Sequence, residues 1–237
     1  MSTLVKNLIP IIRDRLIESE TTGEFWSDNE LINLEILGIK DLWRSIADLK
    51  QEHFLTIDTE HVTMEANMST LSGIPPDVHK IYMIEPRDLS INGNNHGLLF
   101  KPLEYNNNLF QLARSQQAIE PQNDTIFYAL RGHGSPAGLT AIDVAPKVSG
   151  QVRIAFTYVP TLPLMNGNSK IPIPGEADSA LIAWTVAYAR AKEREDRSPD
   201  PAWISVYSTE KANLLQSLGL RQYQEPSVVD ALWQEYW

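Results

Sequence analysis

Ser27-Asp28-Asn29-Glu30 leads into a stretch in which Leu31, Ile32, Ile36, Ile39, Leu42, Trp43, Ile46 and Leu49 recur at helical spacing. A serine followed three residues later by a glutamate is a capping box, where each side chain satisfies an amide that the first helical turn leaves unbonded. The stretch therefore predicts a long helix opening at Ser27. Leu34 and Leu37 fall outside the main stripe, and a helix apolar on more than one side expects neighbours on more than one side. Glu35 lies inside the stripe, between Leu31 and Ile39. A carboxyl there reads as a general acid or base in a buried pocket, or as the partner of a basic group from a neighbouring helix or subunit.

Towards the N-terminus, Val5, Leu8, Ile12 and Leu16 predict a helix near Thr3–Glu18, in which Pro10 either makes a kink or marks the first turn of a later start. Helical periodicity returns after Pro172 and Pro174. Ala177, Ala180, Leu181, Trp184, Tyr188 and Ala191 form one stripe, Glu176 and Asp178 complement the dipole of its first turn, and the charged run Lys192–Arg197 reads as a solvated end. A last helix has Asp200 as N-cap and Pro201 as first residue, with Trp203, Ile204, Tyr207, Leu214, Leu215 and Leu218 buried and Gly219 closing it.

Between these helices the period changes to two. Val152, Ile154, Phe156 and Tyr158 alternate with Gln151, Arg153, Ala155 and Thr157, the pattern of a half-buried strand. Ile126, Tyr128 and Leu130 repeat it more weakly, as do Ile142 and Val144. Turn chemistry separates the runs at Asn92-Gly93-Asn94-Asn95, Asn106-Asn107-Asn108, Gly132-His133-Gly134-Ser135-Pro136 and Asn166-Gly167-Asn168. Such punctuation suggests an antiparallel sheet or small sandwich, not βαβ units. The expected fold class is α+β: N- and C-terminal helices (1–55 and 172–219) form a helical bundle around an inserted antiparallel β-rich region (56–171), with an extended C-terminal tail (220–237).

The 237 residues are 43% hydrophobic and 21% charged, which suits one domain or two coupled ones. No run approaches the roughly 20 apolar residues of a membrane helix, and Met1–Lys6 does not read as a signal peptide, so no membrane association is expected and synthesis is placed in the cytoplasm. The absence of cysteine excludes disulfides, thiolate zinc sites and thiol nucleophiles. Residues 1–55, 56–170 and 171–237 each hold 10 acidic residues against 6, 8 and 6 basic ones, and the net charge is −10. Tight DNA binding needs clustered Lys and Arg and is not expected, whereas an acidic channel past which DNA slides is compatible.

No catalytic or cofactor motif is legible. Gly-rich phosphate loops, a Gly-x-Ser-x-Gly elbow and a His-Glu-x-x-His helix are all missing from the sequence. His53, His61, His79, His96 and His133 show no ligand-like pairing, and Asp58 and Glu60 share a strand face without further metal-ligand partners. Arg131-Gly132-His133-Gly134-Ser135-Pro136 reads first as a connecting loop, and as a hydrolase site using His133, Ser135 and a distant acid only in a minor alternative. The C-terminus carries the stronger signal: Tyr223, Leu232, Trp233, Tyr236 and Trp237 concentrate aromatic residues at a chain end, where polar residues are usual. They either pack back on their own domain or dock into another chain.

Phe25-Trp26-Ser27-Asp28-x-Glu30-Leu31 and Gly38-Ile39-Lys40-Asp41-Leu42-Trp43, following a helix that contains Leu8-Ile9-Pro10, resemble the opening of podovirus-type phage adaptor (head–tail connector) proteins. The likeness continues through Gly73-Ile74-Pro75-Pro76-Asp77, Thr157-Tyr158-Val159-Pro160, and Ile171-Pro172-Ile173-Pro174 before a helix with Ala183, Ala187 and Ala189. It covers residues 5 to about 218 in order and leaves Asn92–Gly97 unmatched. The resemblance implies a virion protein without enzymatic activity or cofactor. It further implies a dodecameric ring beneath the portal protein, tail or nozzle proteins on its distal face, and a channel for genome ejection. Under it, Leu232, Trp233, Tyr236 and Trp237 become the portal-contact residues, and Leu34 and Leu37 inter-subunit contacts. Another virion ring protein, a tail terminator or head-completion ring, is the alternative.

Overall fold

The computed structural model describes residues 3–16, 25–57, 62–65, 67–71, 74, 77–86, 99–115, 125–132, 140–147, 152–194 and 198–222. It is a mixed α+β structure that divides into two compact units, one formed by residues 1–53 and 162–237 and the other by residues 54–161.

In the first unit a 3-10 turn, Val5–Asn7, precedes helix α1 (Ile9–Leu16). Pro10 is the second residue of α1, where its missing amide is no loss, so the helix starts late and is not kinked. Helix α2 (Asp28–Leu49) opens on the capping box: Ser27 Oγ accepts from the Glu30 amide, and the Glu30 carboxylate accepts from the Ser27 amide at 2.9 Å. Lys192 lies 2.6 Å from Glu30, and together with the Ser27 bonds it holds that carboxyl down at about 2. The chain re-enters this unit at Leu162, ahead of the expected 172. The reason is backbone pairing: the Val5 and Lys6 amides donate to Ser169 and Gly167, and the Ile171 amide donates to Thr3.

The later helices of this unit are α4 (Asp178–Glu193) and α5 (Pro201–Gln222). Asp200 caps α5, its carboxylate accepting from the Ala202 and Trp203 amides. Gly219 does not close this helix, which runs on to Gln222. Position 219 lies against Lys50, whose Nζ would stand 3.0 Å from an added Cβ, so close approach is the glycine's role here. Helix α4 departs most from its expected single stripe. Ala180, Leu181, Ala183, Thr185, Val186, Ala187, Ala189 and Ala191 are all buried, whereas Trp184 and Tyr188 are only half-buried. Helices α1, α2 and α5 all pack on it, so no face is left to be polar.

The second unit holds two four-stranded sheets. In one, β8 (Val152–Pro160) is central. Strand β4 (Val78–Pro86) runs along one edge, and β1 (Thr56–Ile57) and β2 (Val62–Met64) lie end to end along the other, all antiparallel. The expected half-burial of β8 is corrected: Ala155, Thr157 and Val159 are buried along with the alternate residues, and only Arg153 is exposed. The second sheet runs β3 (Thr70–Leu71), β7 (Thr140–Ala145), β6 (Thr125–Gly132), β5 (Leu99–Pro102). Met64, Ile84, Phe100, Ile126, Tyr128, Ile142, Ile154, Phe156 and their neighbours make one core drawn from both sheets.

The expectation of purely antiparallel pairing fails at one place. Strands β5 and β6 are parallel, and helix α3 (Asn108–Ser115) connects them as a βαβ unit. The Asn106–Asn108 run, read as a turn, is one at Asn106 and then leads into that helix: the Asn107 side chain accepts from the Leu109 amide. Phe110 of α3 is wholly buried against Ala129 and Ala145, small residues on the sheet face opposite the main core.

Replacing Gly38 with alanine gives a first test of the helical unit. An added Cβ would lie 2.7 Å from Trp184 Cδ1, and the indole is pinned because its Nε1 donates to the Leu34 carbonyl at 3.1 Å. Helix propensity favours alanine by about 1 kcal/mol, but overpacking costs about 1–3 kcal/mol. Gly38→Ala is expected to lower the thermal midpoint, whereas Gly175→Ala, with nothing within 4 Å, should not.

Candidate interaction surfaces

Several residues singled out in the sequence act as joints between elements. Trp26 is buried and its Nε1 donates to the Ala189 carbonyl of α4 at 3.2 Å. Arg13 of α1 reaches the Trp26 carbonyl at 2.9 Å and Asp28 at 2.7 Å. Gly38 admits Trp184, which stacks on Tyr188 and meets Tyr207 edge-on, with centroids 4.5 and 5.0 Å away. The Tyr207 hydroxyl donates to Asp41, and Lys211 donates to the same oxygen at 2.6 Å. Burial opposes ionisation of Asp41, but these two bonds outweigh it and hold the carboxyl below its ordinary range. Burial first, then Asp41, pushes the Tyr207 phenol far up. In the β unit, the Tyr158 hydroxyl donates to Asp77 at 3.1 Å, joining two of the quoted segments.

Leu37 is 50% exposed on α2, on the opposite side from the buried Leu31, Ile39 and Leu42. Leu34 is half-buried. Ile11 of α1, Leu49 of α2 and Val206 of α5 are further exposed apolar residues of this unit. Sequence reasoning missed Leu164, which is fully exposed. The apolar run Leu162-Pro163-Leu164-Met165 belongs to no helical or strand period, and that lack of a period is the signal that marks it.

The β unit carries an open cleft of about 600 Å³ lined by Tyr82, Leu103, Tyr105, Tyr128 and Leu130, with Lys80 and Glu104 as its charged residues. These residues suit apolar or aromatic side chains and provide no nucleophile paired with a base. Beside it, the Arg114 guanidinium stands 5.5 Å over the Tyr105 ring.

Leu232, Trp233, Tyr236 and Trp237 lie outside the described residues, as do His133, Ser135, Asp58, Glu60, His61 and the Asn92–Gly97 loop. His53 and His79 are exposed and in separate units. Among the described residues no three His, Asp or Glu side chains are grouped to hold a metal, and no helix is long and apolar enough to cross a membrane. Glu35 is wholly buried, and neither of its oxygens has a hydrogen-bond partner among the described residues, so the expected basic partner is not found there. Neither a protein-family model nor a curated protein sequence matches the chain.

The exposure of Leu37 makes a direct prediction. Leu37→Asp should change the unfolding free energy of the isolated chain by less than about 0.5 kcal/mol in urea titrations, as an ordinary surface substitution does. A loss of several times that would show that the side chain is covered within its own fold.

Proposed function

We propose that this chain is a head–tail adaptor, a virion ring protein that joins the portal to the tail of a tailed phage and leaves a channel for DNA. The observation that supports it best is the construction of the helical unit from the two ends of the chain, with a β-rich unit between them in the sequence. This is the order in which the adaptor likeness runs.

In this reading α1, α2 and α5 form a bundle around α4. Ile11, Leu37 and Val206 are apolar and exposed because sister copies in a dodecameric ring cover them. Leu34, half-buried, completes the contact from the adjoining turn of α2. The tail, expected from 220 and here starting after α5 at 223, reaches the portal through Leu232, Trp233, Tyr236 and Trp237. Aromatic anchors of this kind dominate binding energy at interfaces. Tail or nozzle proteins dock on the distal face. The net charge of −10 lets DNA pass without adhering, since few phosphates can be neutralised. The protein is made in the host cytoplasm and resides at the portal vertex, and its role involves no catalytic step or cofactor.

Mixing the chain with purified portal and imaging the product tests this reading. Rings on the portal are the expected result, and a chain that stays monomeric and unbound overturns it. Deleting residues 232–237 should weaken portal binding by at least about 100-fold, equivalent to the loss of one strong hot spot, with an unchanged thermal midpoint. A truncated chain that still decorates portals normally removes the tail from the contact.

A further inference from the structure

Glu35 is fully buried on the face of α2 that also carries Leu31, Ile39 and Leu42. Both its oxygens, and Oδ1 of Asp178 in the first turn of α4, are buried without a hydrogen-bond partner among the described residues. Helix α2 packs on the Val5–Asn7 turn as well as on α4. The segment leading into that turn is fastened beside the same helix start: Thr3 Oγ1 donates to Asp178 at 3.3 Å, and Leu4 bridges Lys170.

Among the described residues, the charged groups of the elements packed on α2 give an anion at Glu35 no support. On α1, Arg13 is committed to Asp28, and Asp14 and Arg15 are exposed. Lys6 of the 3-10 turn is exposed. On α4, Lys192 is committed to Glu30 and Arg190 lies over the Trp203 ring, both near the far end of the helix. On α5, Lys211 is committed to Asp41. The group whose charge does act on Glu35 is Asp178, which is itself acidic and has Glu176 as a further acidic neighbour.

We propose that Glu35 is a proton-held latch: while its carboxyl is neutral the N-terminal segment stays closed against α2 and the start of α4, and release of that proton to solvent opens the contact. A buried carboxylate with no cation or donor is strongly disfavoured, whereas a neutral carboxyl can stay in place at modest cost. Consistent with this, burial first and Asp178 second push the Glu35 carboxyl up to about 8. The sign follows from linkage. The closed state holds the proton more tightly than the open one, so closure is strongest at acidic pH. It weakens as pH climbs from the ordinary carboxyl value of 4.5 to about 8, and changes no further above that.

Hydrogen exchange of the full chain reads the latch through the Val5, Lys6 and Ile171 amides, which make the closing bonds to Ser169, Gly167 and Thr3. After correction for intrinsic exchange, their protection should fall about tenfold per pH unit between about pH 5 and pH 8 and then level off. In Glu35→Gln, and in Glu35→Leu as a second neutral replacement, the tenfold-per-unit slope should be lost, leaving only the shallower dependence that the partly buried Asp178 carboxyl contributes. Wild-type protection that does not vary over this range overturns the proposal, as does the same slope in either variant. Neither result bears on portal binding, so the latch stands or falls apart from the adaptor reading.

Discussion

Trp184 lies against Gly38 with no room for a methyl group between them, and the helical unit is organised around that contact. The indole N–H donates to the Leu34 carbonyl, one turn before Gly38, so the ring is held across α2 and cannot swing aside. Its other neighbours are Tyr188 on its own helix and Tyr207 on α5, and Tyr207 in turn reaches back to Asp41 on α2. Three helices are thereby fixed by one aromatic side chain and two positions of α2 a single turn apart. Close approach of α4 to its neighbours also needs small side chains. Ala180, Ala183, Ala187, Ala189 and Ala191 provide them on several sides of the helix.

That arrangement explains which parts of the helical unit were legible. Signals that act within one turn read correctly: the capping box at Ser27 and the Asp200 cap each involve a backbone group only a few residues away, whereas Pro10 left a kink and a late start both open until the helix was seen to begin at Ile9. The period of α4 was misread because alanine is compatible with either a buried or an exposed face. The large residues Trp184 and Tyr188 drew the stripe towards a side that is only half covered. Gly219 misled for a similar reason. Glycine is the usual helix terminator, but here the missing side chain accommodates Lys50, a contact 169 residues away in the chain.

The β unit shows the same limit at longer range. Alternation located β6, β7 and β8, but pairing partners depend on contacts that periodicity does not encode. The parallel β5–β6 pair requires a crossover, and α3 supplies it with eight residues, too short a stretch for helical periodicity to stand out. Phe110 fits there only because positions 129 and 145 of the two strands are alanine, a complementarity visible once the strands are side by side. Strand β8 was expected to be half-buried because its odd positions are Ala155 and Thr157, small residues that look polar or neutral in a linear reading. Their burial follows from the strand's central place in the sheet.

The candidate sites divide along the same line. Trp26, Gly38, Asp41, Asp77 and Tyr158, on which the sequence resemblance was drawn, hold elements together inside each unit: a buried indole, a close approach, a half-buried acid bonded to Tyr207 and Lys211, and a tyrosine–aspartate bond. A requirement for packing is enough to account for residues in such positions, so the likeness speaks to architecture first. Function in an assembly protein rests instead on surfaces, and an exposed leucine such as Leu37 carries no motif because many apolar residues would serve there. What the described surface offers instead of a motif is a set of exposed apolar side chains: Ile11 on α1, Leu37 and Leu49 on α2, Val206 on α5, and Leu164. Apolar residues scattered singly over a surface are ordinary, so these positions bear on a partner only where they adjoin one another in a continuous patch.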